Sequence, residues 1–196
     1  MKRRQFLAAS AAGAATLAAP AVRAADAAKT IKFTPQADLA LLDPVFTTGL
    51  VTRNHGMMVY DQLYGLDDNF QPHPQMVDGH VVDNDGKTWT ITLRDGLVFH
   101  DGQKVLARDA VASIKRWGKI DAFGQNLMAV TNELTATSDK TFVFKLKKPF
   151  PLLPTALAKP SSFCPVMPER FSSQPVNVQI TEIVGSGPFR FIASER

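Results

Sequence analysis

From Thr88 to Leu93 apolar and polar residues alternate without a break, Trp89, Ile91 and Leu93 against Thr88, Thr90 and Thr92. A period of two predicts a strand with one buried face. Gly86 before it permits a tight turn, and Asp95-Gly96 and Asp101-Gly102 after it are further turn signals around the short apolar run Val98-Phe99, so the stretch reads as a hairpin. The alternation returns at Leu134 and Ala136, breaks at Ser138-Asp139-Lys140 and resumes at Phe142, Phe144 and Leu146, which predicts a second hairpin. The period changes over Ala107 to Lys119. There Ala107, Ala110, Val111, Ile114 and Trp117 share one helical face and Arg108, Lys115 and Arg116 lie off it, with Gly118 placed as a C-terminal cap. Asn54 to Leu63 reads as another helix, and Ile31 to Phe33 as a short strand. Six prolines between Pro149 and Pro168 leave room only for short helices, one over Leu152 to Ala158 and one starting at Met167-Pro168. Gly185-Ser186-Gly187-Pro188 is a turn, and Phe189 to Ile192 reads as the start of a strand. The pattern is mixed α/β.

The first residues follow a different logic. Lys2, Arg3 and Arg4 precede an alanine-rich apolar run from Phe6 to Ala19, and Val22-Arg23-Ala24 has the small residues a signal peptidase reads. This is an export signal with cleavage expected after Ala24. Arg3-Arg4-Gln5-Phe6-Leu7 is similar to the twin-arginine pattern, which sends folded proteins across the membrane; an ordinary secretory signal carrying two arginines is the alternative. The run is too short to remain as a membrane span, and no cysteine follows it to take a lipid.

Setting the signal aside changes the charge. The chain has 22 Lys and Arg against 18 Asp and Glu; Lys2, Arg3, Arg4 and Arg23 belong to the signal, and without those four the count is 18 against 18. A neutral mature chain gives no ground for nucleic-acid binding, and the cluster Lys145, Lys147 and Lys148 reads as a solvated strand end. The single cysteine, Cys164, sits among apolar neighbours and reads as a small buried hydrophobe. His55, His73, His80 and His100 lack metal-ligand spacing, so no metal is expected. There is neither a phosphate-binding glycine loop nor a nucleophile elbow. His100-Asp101 is the one pair that invites a catalytic reading.

Six segments then stand in a telling order: Leu42-Asp43-Pro44; Val59-Tyr60-Asp61-Gln62-Leu63; Leu93-Arg94-Asp95-Gly96; Phe99-His100-Asp101-Gly102; Ala107 to Ile114; and Val184-Gly185-Ser186-Gly187-Pro188-Phe189. Together they resemble the signature of the family 5 extracellular solute-binding proteins, receptors of peptide, dipeptide and nickel ABC importers. The resemblance runs from about Thr30 to Arg196. Gln75-Met76-Val77, Arg108 and Ala110 depart from the usual residues.

The resemblance implies a periplasmic-binding-protein-like fold of type II, two lobes around a ligand cleft with an extra small domain beside the first. On this chain it implies an export signal over residues 1–24, a first piece of lobe I over 25–53, the small α/β domain over 54–183, and the opening of the second piece of lobe I over 184–196. Family members run several hundred residues further, so the resemblance implies an N-terminal fragment with the rest of lobe I and all of lobe II missing. It implies a soluble, monomeric periplasmic receptor that is no enzyme and needs no cofactor. Its partners would be an oligopeptide or dipeptide and the inner-membrane permease subunits. Thr47, Thr48 and Leu50, after Leu42-Asp43-Pro44, are the candidate ligand contacts, with Ser161, Ser162 and Phe163; core roles for Phe163 and turn roles for the threonines are the alternative. Two other readings stand beside the receptor: an inert truncated remnant of one, and an exported hydrolase using His100 and Asp101.

Overall fold

The computed structural model describes residues 31–195. The alternating segments become a four-stranded antiparallel sheet in the order β3-β4-β6-β5. Its strands are β3 (Val77–Asp83), β4 (Thr88–Leu93), β5 (Thr131–Ala136) and β6 (Thr141–Leu146). A two-stranded ribbon precedes it, β1 (Tyr64–Leu66) with β2 (Pro72–Pro74). The inward residues of β4 and β6 face each other in register, Trp89 opposite Phe144 and Ile91 opposite Phe142. Ile91, Phe142 and Phe144 are fully buried. Each such side chain contributes about 1.5–3 kcal/mol of transfer free energy, so this row of rings and branches is the base of the core. The second expected hairpin is present as β5 and β6. Of the first, the strand β4 and its preceding turn are present, but the partner is different: the chain turns at Asn84, Asp85 and Gly86, all at positive φ, and pairs β4 with β3, while Val98 makes only an isolated bridge to Lys104.

The helices are α1 (Leu50–Val59), α2 (Ala107–Trp117), α3 (Ala122–Val130), α4 (Leu153–Leu157) and α5 (Glu169–Ser172), and a 3-10 turn covers Ala193–Glu195. Helix α2 packs on β5, β6 and α5 and buries almost its whole circumference, not one stripe. Arg116, expected on the outer face, is buried. Its guanidinium lies 2.7 Å from Asp43, and the two side chains are 1% and 0% exposed. Arg116 also donates to the carbonyls of Gln174, Pro175 and Val178. Asp43 accepts from the backbone N–H groups of Val45, Phe46 and Ile180. One buried pair thus joins Leu42-Asp43-Pro44, helix α2 and the loop running to Ile180. Among the described residues, the chain from Ala37 onward packs as one compact unit.

Several local expectations change. Helix α1 starts four residues before Asn54 and ends at Val59, because Asp61 and Gln62 are drawn into extended contacts: Val166 donates to the Asp61 carbonyl, and the Gln62 amide donates to the carbonyls of Leu157 and Lys159. Ile31 to Phe33 forms no strand, and Ile31 and Phe33 are 92% and 69% exposed. Phe189 to Ile192 is irregular, since no strand among the described residues pairs with it. Helix α3 was not legible beforehand; Asp121 caps it by accepting from the N–H groups of Phe123 and Gly124, each at 2.9 Å. Gly118 closes α2 at φ −64°, so its backbone does not require glycine; a Cβ there would stand 2.6 Å from Met128 on α3. The glycine lets two helices approach. Pro168 sits at the cap of α5, one place before the first helical position.

The buried pair yields a direct test. Removing one partner strands a buried charge, which costs about 3–5 kcal/mol. Asp43→Ala should therefore lower the urea stability of the chain by that much, read from tryptophan emission, whereas Asp43→Ala with Arg116→Met should recover a large part of the loss. Equal losses in both would mean that Asp43 acts through its backbone contacts alone.

Candidate functional site

Immediately after the buried Asp43-Pro44, the chain turns and runs as an open loop through Thr47, Thr48 and Gly49 into α1. Thr47 Oγ1 accepts from the Gly49 N–H at 3.1 Å, fixing that loop. Opposite it stands the C-terminal end of α2. The Trp117 indole N–H donates to the Ser162 carbonyl at 2.7 Å, and Ser162 is held at φ 47°. Between them is a cavity of about 250 Å³ lined by Pro44, Thr47, Thr48, Trp117, Asp121 and Ser162 among others. Three of the six candidate residues, Thr47, Thr48 and Ser162, are therefore brought to one cavity from positions more than a hundred residues apart in the sequence.

The other three go elsewhere. Leu50 is the first residue of α1, 44% exposed, and Ser161 is exposed; neither lines the cavity. Phe163 is 1% exposed and belongs to the core, close beside Gly56. Trp117 and Asp121 line the cavity and were not singled out beforehand. The helical spacing marks Trp117 only as a core position, which it also is. Asp121 has both oxygens engaged, one by the cap of α3 and the other by Lys159, so it is a fixed wall and no free base. Chemically the cavity offers hydroxyl donors and acceptors beside an indole, a lining that suits an amide-bearing or hydroxylated ligand. Arg3, Arg4, Phe6, Leu7 and Ala24 of the export signal lie outside the described residues.

The catalytic reading of His100 and Asp101 loses its geometry. His100 Nε2 lies 2.8 Å from the Gly187 carbonyl oxygen, which can only accept, so Nε2 carries the proton. The His100 backbone N–H donates to Gly185, and the Gly187 N–H donates to Val59. The approach is so close that a Cβ on Gly185 would fall 1.9 Å from the Val59 carbonyl oxygen. His100 is a tether between the Phe99-to-Gly102 turn and the Gly185-to-Pro188 turn. Asp101 turns to Arg170 at 2.7 Å and to the Gln103 N–H at 3.0 Å. Burial pulls its carboxyl upward, yet these hydrogen bonds and the guanidinium charge outweigh it and hold the group below the ordinary carboxylate range. Histidine and aspartate therefore serve different partners.

Other reactive groups are similarly committed. Burial, with the Asp121 charge adding to it, pushes the Cys164 thiol far above its usual range, the reverse of an activated nucleophile. His73 contacts Asp67, and His80 contacts the Tyr64 hydroxyl. Among the described residues no group of three or more His, Cys, Asp or Glu could hold a metal, and no helix is long and apolar enough to cross a membrane.

Comparison with known proteins gives a consistent result. The profile of the bacterial extracellular solute-binding proteins, family 5 (middle region), matches residues 71–196. A relative named "Probable peptide ABC transporter periplasmic-binding protein y4tO", from Sinorhizobium fredii, is 40% identical over 97% of this chain and 36% of its own. The glutathione-binding protein GsiB of Pectobacterium atrosepticum is 27% identical over 97% of this chain and 36% of its own. Among solved structures, the binding protein AgaA of A. tumefaciens R10, in complex with agropinic acid, superposes with a TM-score of 0.67 at 25% identity, over 80% of this chain and 32% of that one. The oligopeptide-binding protein AppA of Bacillus subtilis, in complex with a nonapeptide, gives 0.65 at 17% identity, over 80% and 32%. The chain spans about a third of the length of these relatives.

The tether predicts a structural, non-chemical phenotype. His100→Ala should destabilise the chain by about 0.5–1.5 kcal/mol, the net worth of one hydrogen bond in this partly buried contact, seen as a lower urea midpoint. An unchanged midpoint would show that the Gly187 contact contributes nothing.

Proposed function

The chain belongs to the bacterial extracellular solute-binding proteins, family 5, and from that premise we propose that it is the solute-capturing component of an ABC importer, holding a peptide or a related small solute outside the cytoplasmic membrane for delivery to the permease. The observation that carries the reading is the cavity in which Thr47, Thr48 and Ser162 meet beside Trp117. Hydroxyls on both walls suit the amide groups of a peptide, and the names of the relatives, peptide-binding and glutathione-binding, favour ligands of that class. We assign residues 25–53 and 184–196 to the first lobe and 54–183 to the small domain, with a second lobe of the kind the longer relatives have room for closing on the ligand. Capture needs no covalent step. A ligand bound more tightly by the closed form shifts the open–closed balance, and that shift is the signal to the permease. Export by the twin-arginine route, processing after Ala24 and a monomeric state complete the proposal.

Calorimetric titration of the full chain with di- to pentapeptides, glutathione and agropinic acid tests it. At least one should bind saturably. Thr47→Val with Thr48→Val should weaken that binding by about tenfold, the worth of one or two hydrogen bonds. Silence across the whole panel would favour an inert remnant, and undiminished binding in the double variant would place the ligand elsewhere.

The export proposal has its own readout. The wild-type protein should be recovered outside the cytoplasm with Ala25 at its amino terminus. Arg3→Lys with Arg4→Lys should leave unprocessed precursor inside. Normal export of that variant would assign the ordinary secretory route.

A further inference from the structure

A second cavity, of about 400 Å³, lies on another side of α2, and nothing in the receptor reading uses it. Arg108, Lys115 and Lys119 line it, spaced seven and four apart, so that they share one face of the helix and its extension. Ser172 and Ser173 at the end of α5 contribute to its lining, and so does the buried Arg116.

The charges in this cavity do not cancel. Arg108 Nε stands 3.5 Å from Glu169, and Arg116 is committed to Asp43. Lys115 and Lys119 have no carboxylate partner among the described residues. Arg116 Nε, although buried, has no hydrogen-bond acceptor. The Ser173 hydroxyl is exposed and likewise uncommitted. Lys115 and Lys119 are exposed at the mouth of this concave site, and like charges gathered in a cleft reinforce one another's field and favour an anion there. Lysine is a compact point charge for phosphate or carboxylate groups.

We propose that this cavity is a binding site for a small organic oxyanion carrying two or more negative charges, a phosphate ester or a polycarboxylate. Lys115 and Lys119 supply the neutralising charge, and Ser173 supplies a hydroxyl donor. The cavity, open on one side, is of small-ligand size, which favours a small molecule over an acidic protein surface. The proposal is independent of the solute-receptor reading, because none of the residues that line the Thr47 cavity lines this one.

The test is calorimetric titration of the full chain with glycerol 3-phosphate and, separately, citrate, at fixed ionic strength. One or both should bind saturably with one site per chain, and which of them binds identifies the class. Lys115→Gln with Lys119→Gln should weaken binding at least about tenfold while leaving the melting midpoint and the response to peptides unchanged. The proposal is overturned if neither probe saturates at millimolar concentration, if the double variant binds as well as wild type, or if chloride competes as strongly as the probes. Tighter binding of polyglutamate than of either probe would overturn it too, in favour of a surface for an acidic polypeptide.

Discussion

The ion pair between Asp43 and Arg116 is the constraint on which the rest of the molecule depends. Two charges taken wholly out of water are a net liability unless every remaining donor and acceptor is matched. Here both Asp43 oxygens are matched, by the guanidinium and three backbone N–H groups, and the terminal nitrogens of Arg116 reach three backbone carbonyls, leaving Nε as the one unmatched donor of the pair. The partners come from three distant stretches of chain. Satisfying the pair therefore dictates where the early loop, α2 and the segment before Ile180 must lie relative to one another. Arrangements that leave any of them unmatched meet the full desolvation cost. The stabilising value of such a pair is modest; its effect is to make one arrangement far better than its neighbours.

That constraint reaches the candidate site through adjacency. Pro44 follows Asp43, and Trp117 follows Arg116. Fixing the pair fixes both walls of the Thr47 cavity, and the Trp117 bond to Ser162 then anchors the third segment. A similar logic explains the motifs at the other end. The Phe99-to-Gly102 turn and the Gly185-to-Pro188 turn are separate in sequence, yet His100 and the glycines bring them into direct hydrogen-bonded contact with the end of α1. The segments that reveal the family are thus in good part the joints of the scaffold. They identify the fold more sharply than they identify a ligand.

What the residues disclosed in advance follows from the range of the interactions involved. Period-two alternation is local, so β4, β5 and β6 were legible, as was α2 from its three- and four-residue spacing. Strand β3 was not, because most of its side chains remain exposed, including Val81 and Val82, and it carries no alternating signal. Helix α3 depends on a single cap, Asp121, and on Gly118 allowing close approach. Arg116 was misplaced because helical periodicity ranks an arginine as outward; only a partner 73 residues away reverses that ranking. Of the six residues that the family resemblance named as ligand contacts, Thr47, Thr48 and Ser162 share one cavity, and the ligand role of that cavity is a proposal. Trp117 and Asp121 were not named, since their places in the cavity follow from how α2 and α3 meet.

The arrangement of the Thr47 cavity bears on how binding energy could be used there. Its hydroxyls sit on loops, which are ordinarily mobile and lose entropy when a ligand fixes them. Here the Asp43 pair holds one loop from beneath, Thr47 braces it from within, and the Trp117 indole holds the other. The ordering cost is met during folding, so contacts made to a solute need not offset it again. Ser162 illustrates the same economy: a serine at positive φ is strained, and it is kept there by the indole bond to its own carbonyl. A wall prepared in this way presents its polar groups in fixed positions. Under the receptor role proposed for this chain, a peptide ligand would meet them through its backbone, and a receptor for peptides of varied sequence would need that property more than a tight match to any one of them.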